Sequence, residues 1–172
     1  STDGSHLTRY ATAMDCVEVN SSFHRAHERK TWERWAATTP DKFRFSVKAP
    51  KAVTHIAKLE HCGGALAEFF GQVAGLEEKL GPVLFQLPPK LMFEEGVAWE
   101  FLATLRELHT GLAAFEPRNE SWFAPGVDRL FREFEIARVA ADPAKGSALA
   151  AKPGGDSRLR YYRWHGSPKV YW

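Results

Sequence analysis

Six short runs of β-forming residues recur along this chain at nearly even intervals, and helical patterns lie between them. The runs cover residues 16–20, 43–48, 83–87, 113–118, 137–142 and 160–165. Glu18 in the first run and Arg163 in the last are 145 positions apart, so the five intervals average about 29 residues. A typical eight-unit TIM barrel averages about 31 residues per unit. The alternation therefore predicts an α/β fold with a parallel sheet of TIM-barrel type.

The segments between these runs have the apolar spacing of helices that cover a sheet. Trp32, Trp35 and Ala36 stand at positions i, i+3 and i+4, and the other segments repeat apolar residues with a period near 3.6. We predict helices over residues 28–39, 59–81, 94–109 and 126–134. One long stretch, residues 144–157, has the composition of a loop and reads as a mobile flap.

The count of units falls short of a closed barrel. Six units account for the whole chain, whereas a barrel of this type has eight, so the first and last strands are expected to be missing. The 172 residues, 44% of them hydrophobic, predict a single domain over residues 1–172, truncated at both ends. A shortened sheet and a sheet completed by a partner are the alternatives.

Composition narrows the class of protein further. The formal net charge of +2 does not require a polyanionic partner. The two cysteines, Cys16 and Cys62, are too few for a disulfide framework and suit a reducing compartment. No apolar run approaches the roughly 20 residues that span a bilayer, and the amino terminus lacks a signal-peptide layout. We expect a cytoplasmic protein with no membrane partner, and the sequence leaves its oligomeric state unknown.

Polar side chains cluster at the carboxyl end of every predicted strand. Because residues i and i+2 of a strand share a face, neighbouring polar residues in these runs point the same way. Enzyme sites of α/β barrels lie on this carboxyl face and take side chains from several strands. The candidate site residues are Glu18, Asn20, Lys48, Gln86, Glu116, Arg118, Asp142, Arg163 and His165.

Six segments together resemble one known family. They are "EVNSSFHR", "TWERWAATTPDKFRFSVKAPKAVTH", "LGPVLFQLPP", "FEPRNESWF", "AAD" and "YYRWHG", in this order. The chain is similar, from about residue 9 onward, to the DUF72 (YecE-like) family of uncharacterised TIM-barrel proteins.

The resemblance implies a barrel in which residues 16–20 form the second strand. Family members begin with a strand bearing a Gly-Thr-Ser-Gly-Trp-like stretch and end with a strand and helix bearing an aromatic-Asn-Asn-like motif, and neither is present here. His24 stands where the family commonly has tyrosine. The resemblance therefore implies an incomplete carboxyl-face site and no particular reaction.

The residues at the strand ends favour an enzyme of hydrolase, lyase or isomerase type that acts on an anionic, phosphorylated or nucleotide-like small molecule. Glu18, Glu116 and His165 are the candidate acid and base groups. Donors for phosphate or carboxylate, with orienting groups, make up the substrate-binding set: Asn20, Lys48, Gln86, Arg118, Asp142 and Arg163. No cofactor is predicted.

Three other hypotheses compete with this one. Glu18, Glu116, Asp142 and His165 are suitable ligands for a divalent metal, although nearby cations would repel the ion. Residues 48–55 with Trp122 and Phe123 could bind nucleic acid through basic and stacking groups, although the near-neutral net charge argues against a broad phosphate footprint. The polar residues could also simply pair with one another as a salt-bridged end to the barrel.

Overall fold

The computed structural model describes residues 6–165. Gly166, the last residue of the "YYRWHG" segment, lies outside the described residues. The strands are β1 (Cys16–Val19), β2 (Arg44–Lys48), β3 (Leu80–Gln86), β4 (Ala113–Glu116), β5 (Ile136–Arg138), β6 (Ala140–Asp142), β7 (Gly154–Gly155) and β8 (Tyr162–Trp164).

The helices alternate with these strands, although the predicted helix over residues 59–81 is wrong at both ends, because its α-helical part is Gly63–Val73 and Leu80 begins β3. They are α1 (His6–Tyr10), α2 (Ser21–His24), α3 (Arg29–Ala37), α4 (Gly63–Val73), α5 (Glu95–Leu108) and α6 (Pro125–Glu133). Short 3-10 turns cover Ala74–Lys79, Glu120–Phe123 and Ala148–Ala151, and a π-helical turn covers Ala52–Ile56. Within residues 6–165, none of the helices combines the length and the apolar character needed to cross a bilayer.

The sheet is mostly parallel, and its neighbours follow chain order. β1 to β5 pair in parallel, each with the next, and β6 pairs in parallel with β8. The predicted run 137–142 is not one strand, because Val139 separates β5 from β6. The short β7 adds the antiparallel pair, against β5. The prediction of an α/β fold with a parallel sheet is therefore confirmed.

The two faces of the sheet bury different side chains, since residues alternate between faces along a strand. Phe45, Val47, Phe85 and Phe115 pack with the helices into the main core. A smaller cluster on the other face contains Leu84, Ala114, Ala137 and Val139, with Leu159 and Tyr161 packed against it. We call the face with the smaller cluster the inner face of the sheet. Its apolar side chains form one layer, and the residues nearer the carboxyl ends of the strands form the next layer.

Side chains from the two outermost parallel strands meet across the inner face. β6 follows β5 directly after Val139, and β8 pairs with β6 in a second, two-stranded sheet. Five strand intervals therefore separate β1 from β8, about 24 Å if the strands lay flat at about 4.8 Å per interval. Nevertheless, Arg163 Nη2 lies 2.9 Å from Glu18 Oε1. The sheet is therefore strongly curled, although no backbone ladder joins β1 to β8 in the described part of the chain.

The stretch 144–157 is folded onto the sheet. Gly155 of β7 pairs with Ala137, and its N–H donates to Asp128 Oδ1 at 2.8 Å. Gly146 has φ +80, and a Cβ there would lie 2.6 Å from the carbonyl oxygen of Arg118, so a side chain does not fit. The composition predicts a mobile flap here, but the stretch pairs with β5 and packs against the loop that carries Arg118.

Candidate functional site

The inner face of the curled sheet ends in a layer of polar side chains at its carboxyl edge. Lys48, Gln86 and Glu116 are the last residues of β2, β3 and β4, and Gln86 pairs in register with Glu116. Each follows a main-core residue on the opposite face, such as Val47, so alternation turns it inward. Glu18 and Arg163 reach the same layer from β1 and β8.

The Glu116 carboxylate is the centre of this layer. It is 3% exposed and accepts hydrogen bonds from four nitrogen atoms. Gln86 Nε2 lies 3.2 Å from both carboxylate oxygens, and Arg118 donates through Nε and Nη2 at 3.1 and 3.0 Å to Oε1. Arg163 Nη1 donates to Oε2. Both oxygens are therefore fully engaged by donors.

The Glu18 carboxylate is held in the same way. Asn20 Nδ2 donates to Oε1 at 2.9 Å, the Tyr161 hydroxyl donates to Oε2 at 2.5 Å, and Arg163 donates to both oxygens. Burial alone would raise the pKa of Glu18, but the hydrogen bonds from Arg163 and Tyr161 outweigh it and lower the pKa below the ordinary 4.5. Glu18 is thus an anion at neutral pH with every lone-pair direction used.

Arg163 links the two carboxylates. It is 8% exposed and pairs with Glu18 and Glu116 through different nitrogen atoms. Burial would lower its pKa, but the hydrogen bond to Glu18 and the charge of Glu116 raise it. This guanidinium is a cation that joins the carboxylate of Glu18 on β1 to that of Glu116 on β4.

Lys48 is a buried cation of a different kind. Its side chain donates from Nζ to Gln86 Oε1 at 2.8 Å and lies 4.0 Å from the centre of the Phe23 ring. Burial and the positive charge of Arg163 lower its pKa to about 8, against the attraction of Glu116. A substantial fraction of this amine is therefore unprotonated just above neutral pH.

Two histidines lie at the rim of the layer. His165 follows β8, and its backbone N–H donates to the Asp142 carbonyl at 2.8 Å. Burial and the charge of Arg163 lower the pKa of His165. His55 lies on the π-helical turn, a structure often found at functional sites, and burial with the charge of Lys48 lowers its pKa. Both rings are therefore neutral, and able to accept a proton, at pH 7.

The structure brings most of the predicted site residues together. One hydrogen-bonded cluster joins seven of them: Glu18, Asn20, Lys48, Gln86, Glu116, Arg118 and Arg163. His165 lies close enough for its pKa to respond to the charges of Arg163 and Glu116. We call these eight residues the carboxyl-edge cluster.

Asp142 is not part of the cluster. In the pairing of β6 with β8, Ala141 stands opposite Arg163 and Asp142 stands opposite Trp164. Partners in register share a face, so Asp142 lies on the other face from Arg163. In residues 6–165, no hydrogen bond or ion pair joins its carboxylate to the cluster.

The predicted metal ligands are not grouped as a metal centre. Among the described residues, no three His, Cys, Asp or Glu side chains lie together in a way that could hold an ion. Arg163 stands between Glu18 and Glu116, so a cation would have to displace this guanidinium from both carboxylates.

Trp122, a predicted stacking surface for nucleic acid, is not accessible to a base. It is 2% exposed and donates its indole N–H to the Leu91 carbonyl.

Sequence reasoning missed four residues that support the cluster. Tyr161 joins Glu18 to Ser46, whose Oγ lies 2.6 Å from the Tyr161 hydroxyl. Burial, with the charge of Glu18, raises the pKa of Tyr161. Phe23 lies on α2 and His55 on the π-helical turn, and no spacing rule predicts that these elements approach Lys48. Tyr161 and Ser46 were accessible to the i, i+2 rule, since they precede Arg163 and Lys48 by two positions.

The mostly parallel sheet and its covering helices define the chain as a mixed α/β protein, and comparison with known proteins identifies its family. Residues 1–172 match the family model described as protein of unknown function DUF72. The chain belongs to the DUF72 family, so the resemblance seen in the sequence is confirmed.

Two curated relatives share the UPF0759 description. UPF0759 protein YecE of Escherichia coli (strain K12) is 34% identical over 124 residues, which cover 71% of this chain and 44% of YecE. UPF0759 protein YunF of Bacillus subtilis (strain 168) is 28% identical over an alignment covering 96% of this chain and 64% of YunF. The chain spans less than two thirds of either relative, and neither description states an activity.

Solved structures of the family have the same fold. A DUF72 family protein of Enterococcus faecalis V583, solved at 2.52 Å resolution, superposes with a TM-score of 0.77 at 21% identity, covering 94% of this chain and 69% of that one. A DUF72 family protein of Thermotoga maritima MSB8 gives 0.72 at 24% identity, covering 95% and 65%. Closure of the sheet into a barrel stays a prediction.

Proposed function

We propose that the carboxyl-edge cluster binds an anionic small molecule, phosphorylated or nucleotide-like, and performs acid–base chemistry on it. The observation that carries this proposal is the charge of the cluster. Three cations, Lys48, Arg118 and Arg163, stand against two carboxylates, Glu18 and Glu116, whose oxygens are fully occupied. A site with a surplus of buried positive charge favours an anion from solution.

Arg118 is the residue best placed to receive that anion. Its side chain is 23% exposed, against 7% for Arg163, and only Nε and Nη2 are used, both on Glu116 Oε1. In residues 6–165, Nη1 makes no hydrogen bond. Glu116 thus fixes one edge of the guanidinium, and the other edge could bind phosphate or carboxylate oxygens with the strength of a charge-assisted pair.

The hydrogen bonds also favour a division of roles within the cluster. The lowered pKa of Glu18 makes it a poor proton acceptor. Glu116 accepts hydrogen bonds from Arg118 and Arg163, so we assign both carboxylates to orienting the arginines. His165, whose pKa is lowered, is neutral at pH 7 and is our candidate general base. We assign no cofactor to this chemistry.

The finer fold proposal is that the curled sheet is part of a (β/α) barrel. The contact between Glu18 and Arg163 supports it, because it already brings the outer strands to one carboxyl edge. A crystal structure of a longer family member would test it. Two further parallel strands between the counterparts of β1 and β8 are expected, and a flat sheet with those edges apart would contradict it.

Isothermal titration calorimetry with glycerol 3-phosphate tests the binding proposal, with potassium chloride at equal ionic strength as the reference. We expect Arg118→Met to weaken binding by at least about tenfold, since a charge-assisted hydrogen bond contributes about 1.5–3 kcal/mol. The exposed Arg129→Met is the matched control and should bind as the wild type does. Equal affinity of the Arg118 variant, or no binding by the wild type, would overturn the proposal.

The acid–base part needs a separate readout. In a screen of phosphatase, phosphodiesterase, isomerase and lyase reactions, His165→Gln should abolish turnover and leave the affinity for glycerol 3-phosphate unchanged. Single-stranded oligonucleotides in the same calorimeter form a further arm. Binding of the oligonucleotide in preference to glycerol 3-phosphate would replace this proposal with the nucleic-acid one.

A further inference from the structure

Lys48 differs from every other cation of the cluster in what it touches. Its side chain is 8% exposed, and its hydrogen-bond partner is a neutral amide, Gln86 Oε1, at 2.8 Å. The other neighbour is the ring of Phe23, 4.0 Å from Nζ. In the described residues no carboxylate forms an ion pair with this ammonium, whereas Arg118 and Arg163 both have one.

The carboxylates that could have neutralised Lys48 are held by the arginines. Glu116 accepts from Arg118 and Arg163, and Glu18 accepts from Arg163 through both oxygens. The arrangement therefore holds a primary amine in a buried place where its charged form is disfavoured and a second cation lies nearby. That environment activates a lysine as a nucleophile in enzymes that form imines with carbonyl substrates.

We propose that Lys48 Nζ is a nucleophile that forms an imine with an aldehyde or ketone whose anionic group is held by Arg118. This proposal rests on the proposed function for its anion site and adds the chemical class of the substrate. Lys48, which the sequence predicts as a hydrogen-bond donor to phosphate, is here the residue that bonds covalently to the substrate. The lowered pKa of about 8 agrees with this role, because the free fraction of the amine at neutral pH, about a tenth, is far above that of an ordinary lysine.

The step balances without any further reactant. The neutral amine attacks the carbonyl carbon, the C–N bond forms, and the oxygen takes the proton lost by nitrogen. The carbinolamine then forms C=N from the nitrogen lone pair as the C–O bond breaks, and the hydroxyl leaves as water with one added proton. In total, a lysine ammonium and a carbonyl give a protonated imine and water, so nothing is oxidised or reduced.

His55 is placed to carry the proton in this sequence. Its ring packs edge-on against Phe23 at 5.0 Å between centroids, and Phe23 is the ring beneath Lys48 Nζ. Nδ1 lies 2.8 Å from Thr54 Oγ1, which leaves Nε2 for proton exchange. The charge of Lys48 is among the causes that lower the pKa of His55, so the two groups lie within electrostatic reach. His55 would take the ammonium proton and return it to the leaving hydroxyl.

Reductive trapping tests the imine. The protein is incubated at pH 7.5 with dihydroxyacetone phosphate and sodium cyanoborohydride, and the reduced adduct is located by peptide mass spectrometry. At this pH an amine of pKa about 8 has a free fraction about a hundredfold above that of an ordinary lysine. We expect Lys48 to be labelled at least about tenfold faster than the exposed Lys51 of the same chain, and labelling at the Lys48 rate to disappear in Lys48→Arg. Equal labelling of Lys48 and Lys51 would overturn the proposal.

Two further probes separate this proposal from the proposed function. Glycerol 3-phosphate has the phosphate of dihydroxyacetone phosphate but no carbonyl, so its binding by calorimetry reports on the anion site alone. Glycolaldehyde has a carbonyl but no charge, so its trapping reports on the amine alone. Binding of glycerol 3-phosphate without labelling of Lys48 would reject the imine only. Labelling of Lys48 by glycolaldehyde without binding of glycerol 3-phosphate would reject the anion site only.

Folding of the variants is checked independently. Circular dichroism and the urea midpoint of Lys48→Arg and Lys48→Met are compared with the wild type, and Lys51→Arg serves as the control substitution. If Lys48→Arg fails to fold, the wild-type ratio of labelling at Lys48 and Lys51 still decides the outcome, because it needs no variant.

Discussion

Arg163 and Glu18 are 145 positions apart in the chain, and their side chains form two hydrogen bonds, of 2.9 and 3.0 Å, across the inner face of the sheet. Glu18 lies on β1, the first strand of the six-stranded sheet, and Arg163 lies on β8 of the two-stranded sheet. This ion pair therefore connects β1 to β8 and is also part of the carboxyl-edge cluster. Because Arg163 also binds Glu116, its removal would affect both.

Replacing Arg163 by methionine should strongly destabilise the fold. The change removes the shared cation of the buried Glu116 and the half-buried Glu18, and breaking a buried pair such as Arg163 with Glu116 costs about 3–5 kcal/mol. The free energy of unfolding from urea titration measures the loss. Arg29→Met, at an ion pair whose side chains are 60% and 50% exposed, should cost less than about 1 kcal/mol. Similar losses in the two variants would contradict the central role of Arg163.

Loss of the Tyr161 hydroxyl should lower the free energy of unfolding more than loss of the Tyr162 hydroxyl. Tyr161 donates to Glu18 at 2.5 Å and lies 2.6 Å from Ser46 Oγ, so Tyr161→Phe removes a hydrogen bond to a charged group, at a cost of about 1.5–3 kcal/mol. Tyr162 is 49% exposed, and Tyr162→Phe is the matched control with an expected change near zero. Urea midpoints of the two variants, measured together, decide this prediction.

Much of this arrangement was predictable because it depends on local periodicity. The period of about 29 residues located the parallel strands, and their carboxyl ends supplied seven of the hydrogen-bonded cluster residues. Asn20 and Arg118, which follow directly after β1 and β4, hydrogen-bond to Glu18 and Glu116, two positions earlier in the chain. The location of a strand and of its carboxyl end is therefore what the local sequence pattern supplied.

The parts that sequence could not supply depend on register and on loops. Asp142 ends its strand as Glu116 does, but pairing with β8 puts Ala141 opposite Arg163. Because side chains alternate between faces, Asp142 points to the face opposite to Arg163. Nothing in the sequence sets that register. The positions of Phe23 and His55 beside Lys48 likewise depend on how α2 and the π-helical turn fold over the strand ends, which involves tertiary packing.

Glu18 should make the protein sensitive to acid. Its pKa is lowered in the folded state, so its contribution to stability is present above the ordinary value of 4.5 and is lost as pH falls through the folded pKa. The free energy of unfolding of the wild type should therefore fall more steeply below pH 4.5 than that of Glu18→Gln. Urea titrations at a series of pH values test this, and parallel slopes for the two proteins would contradict it.

Lys48 should produce the opposite trend in alkali. Its pKa is lowered from 10.5 to about 8 in the folded state, so between these values the unfolded chain binds more protons than the folded one. Stability contributed by this residue therefore rises as pH increases from about 8 to 10.5. Lys48→Met has no such group, so the difference in unfolding free energy between wild type and variant should shift towards the wild type over that range.

The comparison at each pH is made within the pair of proteins, because tyrosines and other lysines titrate in the same range and contribute equally to both. Lys51→Met, at an exposed position, provides the control difference and should stay flat. A flat difference for Lys48→Met as well would mean that Lys48 keeps an ordinary pKa in the folded protein. In that case the free fraction of the amine at neutral pH would be no larger than that of an ordinary lysine, and its assignment as a nucleophile would lose its electrostatic support.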